Sequence, residues 1–373
     1  MTGLSRFRIR QIVRKEVRQL LRDPRARPIL FVAPVVQLFL FGYAVNTDVQ
    51  NTPLAVLDLD RSAASRQLVD EIVASGYFKI VFRAERPGEL VESLDRAQAL
   101  IALEIPPLFS RDLASGRGAV VQVLVDGTDS NTGTIASGNL RRAILAYGLE
   151  QSGLGESLAK GPRLEPRAWF NPSLESRAYN VPGVIGILIL LMCLLLTSFS
   201  VVRERELGTL DQLRVSPVKP AELILGKTIP VAGVALIDLA LITAVGTAWF
   251  GIPLRGSLLV LLAASLLFIL SGLTAGLLIS TVSKTQQEAF LTMYLVLLPS
   301  IILSGFFFPI YSMPELFQWI SFLNPLRYFL EIVRGVFLKG ASPIVLWPQF
   351  AALLVLGTVG IAVAIRRFER SID

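Results

Sequence analysis

The stretch VPGVIGILILLMCLLLTSFSVVRERELGTLDQLRVSPVKPAELILGKTIP, residues 181–230, decides the fold. Its opening run, 181–202, carries no charge. About 20 such residues are enough for a helix to cross the hydrocarbon core of a bilayer. Arg203, Glu204, Arg205 and Glu206 follow at once and read as the start of a short amphipathic helix over about 203–214. Leu207, Leu210 and Leu213 lie near one face of it, and Pro217 and Pro220 end it. A second apolar run begins near 229. A span, a charged connector and another span are the pattern of an integral membrane protein.

Working outward, five further apolar runs join the first, giving six spans at about 29–46, 181–202, 229–250, 257–280, 289–308 and 345–365. Composition agrees, since 53% of the 373 residues are hydrophobic and only 17% charged, against about 25% charged in a soluble domain. The chain has no histidine and one cysteine, Cys193. An intrachain disulfide and a multi-cysteine zinc site are therefore excluded. Cys193 lies in the second span and reads as packing.

Residues 1–28 precede the first span with nine Lys/Arg and two acids. Leu4, Phe7, Ile12, Val13, Val17, Leu20 and Leu21 recur at helical spacing, so the segment reads as an amphipathic helix lying in the membrane interface. Asp23-Pro24 ends it. The apolar stripe counts against a nucleic-acid arm, and the basic region is too long for a secretory leader. With the N-terminus in the cytoplasm, the inside segments 1–28, 203–227, 281–288 and 366–373 hold 18 Lys/Arg, while the short outer loops hold four. That asymmetry places both termini inside. The net charge of +7 is thus a topology signal rather than a nucleic-acid signal.

Between the first two spans, 47–180 reads as an inserted extracytoplasmic α/β domain. Strands are expected at 53–60, 78–82, 99–105 and 119–126, with helices between them and a long helix to about 150. Asp58, Asp60, Asp126 and Asp129 fall at strand ends, where a cation could bind, but helix capping accounts for them more simply. Residues 181–373 form the rest of the membrane part. Pro309, Pro314 and Pro325 break 309–340 into pieces too short to span, which reads as re-entrant or interfacial helices on the outer side. Glu331 and Arg334 can pair at i,i+3 there.

Two features bear on chemistry. Gly226-Lys227-Thr228 looks like the end of a phosphate-binding loop, but that motif needs Gly at position 221, where Ala stands. Lys227 reads instead as the cytoplasmic end of the third span, snorkelling to the interface. Asp238 sits near the middle of that span, where an ionisable group is costly and could hold a cationic substrate or a proton, or be hydrogen-bonded to a neighbouring helix.

RKEVRQLLRDPR (14–25), RERELGTLDQLRVSPV (203–218), LILGK (223–227), SGFFFPI (304–310) and NPLRYFLEIVRG (324–335) occur in an order and spacing that extend across the membrane part. On these pieces the chain resembles the permease subunits of ATP-binding-cassette type-2 exporters, in the branch with a large extracytoplasmic domain. The resemblance implies export of a drug or small amphiphile across a bacterial inner membrane. It implies an elbow helix containing Lys15, Glu16, Arg22 and Asp23. It implies a coupling helix containing Arg203, Glu204, Arg205, Glu206, Gly208, Thr209 and Leu210, docked on a separate ATPase. Ser304, Gly305, Phe306, Phe307, Phe308 and Pro309 would form an outer gate. ATP and Mg would act in the partner ATPase, with no cofactor on this chain. The other implied partners are a second permease subunit, identical or paralogous, membrane lipids and, in some relatives of this type, a periplasmic adaptor. An ion-coupled secondary transporter would show several intramembrane charges or inverted repeats, and six spans are more than an anchored receptor needs.

Overall fold

The computed structural model describes residues 5–22, 24, 26–44, 51–115, 118–128, 130–151, 170, 176–208 and 219–372. Two compact units emerge, Thr47–Arg167 and the remainder of the chain, Met1–Asn46 with Ala168–Asp373. The second unit begins with α1 (Arg6–Arg22) and α2 (Ala26–Ala44).

The Thr47–Arg167 unit is a four-stranded sheet with helices on both faces. Its elements run β1 (Thr52–Asp58), α3 (Ala63–Ala74), β2 (Phe78–Ala84), α4 (Pro87–Asp95), β3 (Ile101–Ile105), α5 (Phe109–Ala114), β4 (Gln122–Val125) and α6 (Ser130–Gln151). Strand order is β2-β1-β3-β4, with β1 parallel to both neighbours and β4 antiparallel to β3. Alternation along β1 sends Leu54 and Val56 to a core with Leu68, Ile72 and Leu140, and Ala55 and Leu57 to a smaller one with Leu90. The strand-end carboxylates bond to nearby loop and helix-start groups. Asp58 accepts from the backbone N–H of Asp60 and Arg61 at 3.1 and 2.8 Å and from Ser65 Oγ at 2.6 Å. Asp60 accepts from Ser110 N at 3.1 Å, and Asp126 from Thr128 N at 2.9 Å. Asp129 lies outside the described residues. Among the described residues no three His, Cys, Asp or Glu side chains group as a metal site.

The membrane part continues with α7 (Ser176–Glu206), α8 (Pro220–Ala248), α9 (Leu258–Val282) and α10 (Gln286–Ile302). A single 3-10 turn (Ile310–Ser312), α11 (Glu315–Ser321), α12 (Pro325–Arg334), a π turn (Gly335–Lys339) and α13 (Trp347–Ile372) complete it. Ser176–Glu206, Ala221–Ala248, Leu258–Val282 and Trp347–Arg367 are long and apolar enough to cross a membrane, and Leu30–Tyr43 is a shorter apolar helix. The runs read at 29–46 and 289–308 fall on α2 and on α10. The latter has only 17 residues because the chain turns at Gly305, whose φ of +81° suits glycine, instead of continuing through the phenylalanines.

At the centre, α7 is packed by α2, α8, α9, α10 and α12. Its crossing with α9 is close because α9 presents glycines. A Cβ at Gly272 would stand 2.9 Å from Cys193 Cβ, and one at Gly276 would stand 2.8 Å from Thr197 Cβ. Small residues spaced by four let two helix backbones approach in this way. Cys193 is thus a packing residue of that seam. Phe268 of α9 and Phe329 of α12 stack with centroids 4.2 Å apart.

One boundary differs from the sequence reading. Arg203–Glu206 do not begin a separate surface helix; they form the last turn of α7. No Pro or Gly lies between Gly186 and Gly208, whose φ of +68° ends the helix in the manner of a left-handed C-terminal residue. Thr209, Leu210 and the rest of the proposed coupling helix to 214 lie outside the described residues.

Candidate functional site

The amphipathic α1 packs against the start of α8, and the contact is fastened by charge. Glu222, in the first turn of α8, accepts from Ser5 N at 2.7 Å, from Lys219 N at 3.1 Å and from Arg8 Nη1 at 3.5 Å. One turn on, Gly226 lies against Ile12 so closely that a Cβ would stand 2.5 Å from Ile12 Cγ2. Next comes Lys227, which is where the sequence reading fails. Its side chain is 3% exposed, not snorkelling to an interface.

Lys227 Nζ donates to Glu16 Oε1 of α1 at 3.1 Å and to Ser200 O and Oγ of α7 at 2.9 and 3.1 Å. It also forms an ion pair with Glu204 Oε2 at 3.1 Å. Lys15 Nζ reaches Glu204 Oε1 at 2.6 Å and Glu16 Oε1 at 3.5 Å. Two ammonium and two carboxylate groups from three helices therefore form one formally neutral junction. The Glu16 and Glu204 side chains are each 9% exposed, and Lys15, at 55%, is the open edge. Burial disfavours the Lys15 charge, but the Glu204 hydrogen bond and the charges of Glu204 and Glu16 outweigh it and hold the ammonium above its ordinary range.

The neighbouring Arg205 and Glu206 bond to the ends of adjacent helices. Arg205 Nη1 donates to Ser280 O at 3.2 Å and Ser283 O at 2.7 Å, closing the last turn of α9. Glu206 accepts from Gln286 N at 2.7 Å at the first residue of α10. Arg203 and Arg22 are exposed, and Asp23 lies outside the described residues. Of the residues read as coupling or elbow positions, the structure thus brings together Lys15, Glu16 and Glu204. Glu204 is sealed by cations instead of being free to dock elsewhere. The sequence reading missed Glu222, Ser200 and the true place of Lys227. An acid three residues after Lys219, in the first turn of a helix that Pro220 opens ahead of an apolar run, was the one signal for Glu222.

At the opposite end of the bundle, Trp249 Nε1 donates to Tyr43 OH at 3.0 Å within an aromatic group that includes Phe39 and Phe250. The segment from Ser304 to Pro309 lies at the end of α10. Ser304 Oγ accepts from Phe306 N at 3.2 Å, and Phe306 is buried against Gly183 of α7. Phe307 and Phe308 are exposed, and Pro309 precedes the 3-10 turn. Arg334 of α12 donates to Gly305 O at 3.2 Å while its guanidinium sits 3.6 Å over the Tyr179 ring. Glu331, expected to pair with it, accepts instead from Gln349 Nε2 of α13 at 2.7 Å. Asp238 lies apart from both ends, on the buried face of α8.

A helical core of apolar, membrane-length helices with an amphipathic helix fastened to it by charge is the architecture of an integral membrane protein. The comparisons agree. The family model for "ABC-2 family transporter protein" matches residues 28–366. The "Probable multidrug ABC transporter permease YbhR" of Escherichia coli K12 is 33% identical over 365 residues, covering 98% of this chain and 99% of the relative. The "Probable multidrug ABC transporter permease YbhS" of the same organism is 32% identical over 373 residues, covering 99% of each. Its "Inner membrane transport permease YhhJ" is 29% identical over 368 residues, covering 96% of each. The chain belongs to the ABC-2 family of transporter proteins, and is a multi-pass protein of the inner membrane.

Proposed function

We propose that the chain is the membrane-spanning half of an exporter that moves a drug or small amphiphile outward, driven by ATP hydrolysis in a separate ATPase subunit. In this reading α2, α7, α8, α9, α10 and α13 span the membrane, both termini are cytoplasmic and the α/β unit lies outside. The single observation that carries the coupling role is the junction of Lys15, Glu16, Glu204 and Lys227. It joins α1 to α7 and α8, the two helices that residues 207–218 connect in sequence. A push on that connector by an ATPase would then move three helices together. Glu204 acts as the inner anchor of the connector, while Arg203 and the residues beyond Gly208 meet the ATPase. Ser304–Pro309 would serve as the outer gate. The multidrug names of two relatives support the substrate class.

The test is reconstitution. The chain alone in proteoliposomes should not hydrolyse ATP. Co-expressed with its ATPase, it should expel a cationic fluorescent dye on addition of ATP and Mg. ATP hydrolysis by the pure chain, or dye movement without an ATPase, would overturn the reading.

A further inference from the structure

Asp238 is 1% exposed, and neither of its carboxylate oxygens has a hydrogen-bond partner among the described residues. It lies on the stripe of α8 that also buries Val231, Ala235, Leu239 and Ile242, all in the main apolar core. An ionised carboxylate sealed in this way has lost its water and gained nothing in return, whereas a carboxylic acid loses far less. The other buried acids of the membrane part are treated differently. Glu16 and Glu204 face ammonium groups, and Glu222 accepts from Ser5, Lys219 and Arg8.

Among the described residues no counter-ion stands against Asp238. The helices packed against α8 are α1, α2, α7, α9 and α13. On α7 the titratable side chain at mid-length is Cys193, which offers no positive charge; Arg177 and Tyr179 lie near its first residue and Arg203–Glu206 at its last. The sequence of α9 contains no titratable residue. That of α13 contains none before Arg366, and between Leu30 and Tyr43 α2 has only Tyr43, which bonds Trp249. Of the α1 charges, Arg8 meets Glu222 and Lys15 and Glu16 meet Glu204 and Lys227, and Lys227 is 11 residues before Asp238, about 16 Å along the helix.

We propose that Asp238 is an intramembrane proton-binding site. In this conformation it is a neutral carboxylic acid, and it ionises only when movement of α7 and α8 lets water or a cation reach it. A proton is the cation that a fully enclosed carboxyl can hold without a cavity. The proposal goes beyond the export reading and does not depend on it, because it concerns the resting protein without ATPase or substrate.

Infrared difference spectroscopy of the purified full-length chain in detergent at pH 7 tests it. Wild type minus Asp238→Asn should show the C=O stretch of a protonated carboxyl, which lies above the amide and carboxylate bands. Asp238→Glu should retain such a band at a shifted frequency. Uniform 13C-aspartate labelling of the wild type should move the band, which identifies it even where the Asn variant fails to fold. Loss of carboxylate bands alone in the difference spectrum, or a wild-type protonated band that ignores aspartate labelling, overturns the proposal.

Discussion

Lys227 Nζ stands 3.1 Å from Glu16 Oε1, and that contact joins residues 211 positions apart in the chain. It sits where α1, α7 and α8 meet, and it makes the amphipathic helix part of the bundle.

Lys227→Met should be strongly destabilising. Among the described residues it leaves Lys15, half-exposed, as the ammonium facing Glu16 and Glu204, and breaking one side of a buried pair typically costs about 3–5 kcal/mol. Thermal unfolding followed by size-exclusion in detergent should show the loss, with partial recovery when Glu16→Gln is added. A melting curve equal to wild type would mean that the junction is not sealed.

Glu222→Ala removes the acceptor for Ser5 N, Lys219 N and the Arg8 guanidinium. A lost helix cap alone is worth about 1 kcal/mol. The expected signature is local: faster amide exchange across 5–22 with little change in α9. Uniform acceleration would argue that Glu222 supports the whole core.

Gly276→Val places side-chain atoms against Thr197 and the Cys193 and Leu194 carbonyl oxygens, all within 3.2 Å of an added Cβ. Because backbone cannot give way as a side-chain tip does, the cost should reach or exceed the roughly 1–3 kcal/mol of ordinary overpacking. Gly233→Val, at a position where an added Cβ meets nothing within 4 Å, is the matched control.

Arg334→Ala should loosen the turn at Gly305, since it removes both the carbonyl contact and the stack on Tyr179. A cysteine placed at Phe306, buried in wild type, should then react faster with maleimide. Arg334→Lys should behave like Ala, because an ammonium cannot reproduce the planar stack.

Asp60 supplies a pH dependence in the α/β unit. Its slight burial works to raise its pKa, but hydrogen bonds from Ser62 and Ser110 outweigh this and hold it below the ordinary 3.8. A depressed folded-state value means stability that is present above 3.8 and lost as pH falls through the folded value. Amide exchange at Ser110 should accelerate below about pH 4, an acid step that Asp60→Asn removes.

The sequence made some of this legible and hid the rest for physical reasons. The apolar run 181–202 announced α7, because lipid-length apolar stretches have few other uses. The α/β alternation was visible in PLAVLDLD and ALIALEI, and only the antiparallel direction of β4 was not, since strand direction depends on partners. The helical stripe in 4–21 marked α1. What could not be read was where α1 points its charges. Lys227 looked like an interface lysine because span ends usually are; its enclosure depends on Glu16 and Glu204, which no local pattern connects to it. Glu204 and its neighbours looked like a free surface for the same reason. Their partners on α1, α8, α9 and α10 are brought in by tertiary packing alone.

One rod, α7, has Tyr179 near its first residue and Glu204 near its last. The 25 residues between them correspond to about 38 Å of helix, longer than the roughly 30 Å bilayer core. Arg334 grips one tip and the two lysines grip the other. Such a rod behaves as a lever: a 10° swing about its midpoint displaces each tip by about 3 Å, in opposite directions. That stroke is enough to part a hydrogen bond at either grip. Pro182, the proline inside α7, lies beside the Tyr179 grip and gives that tip a place to bend.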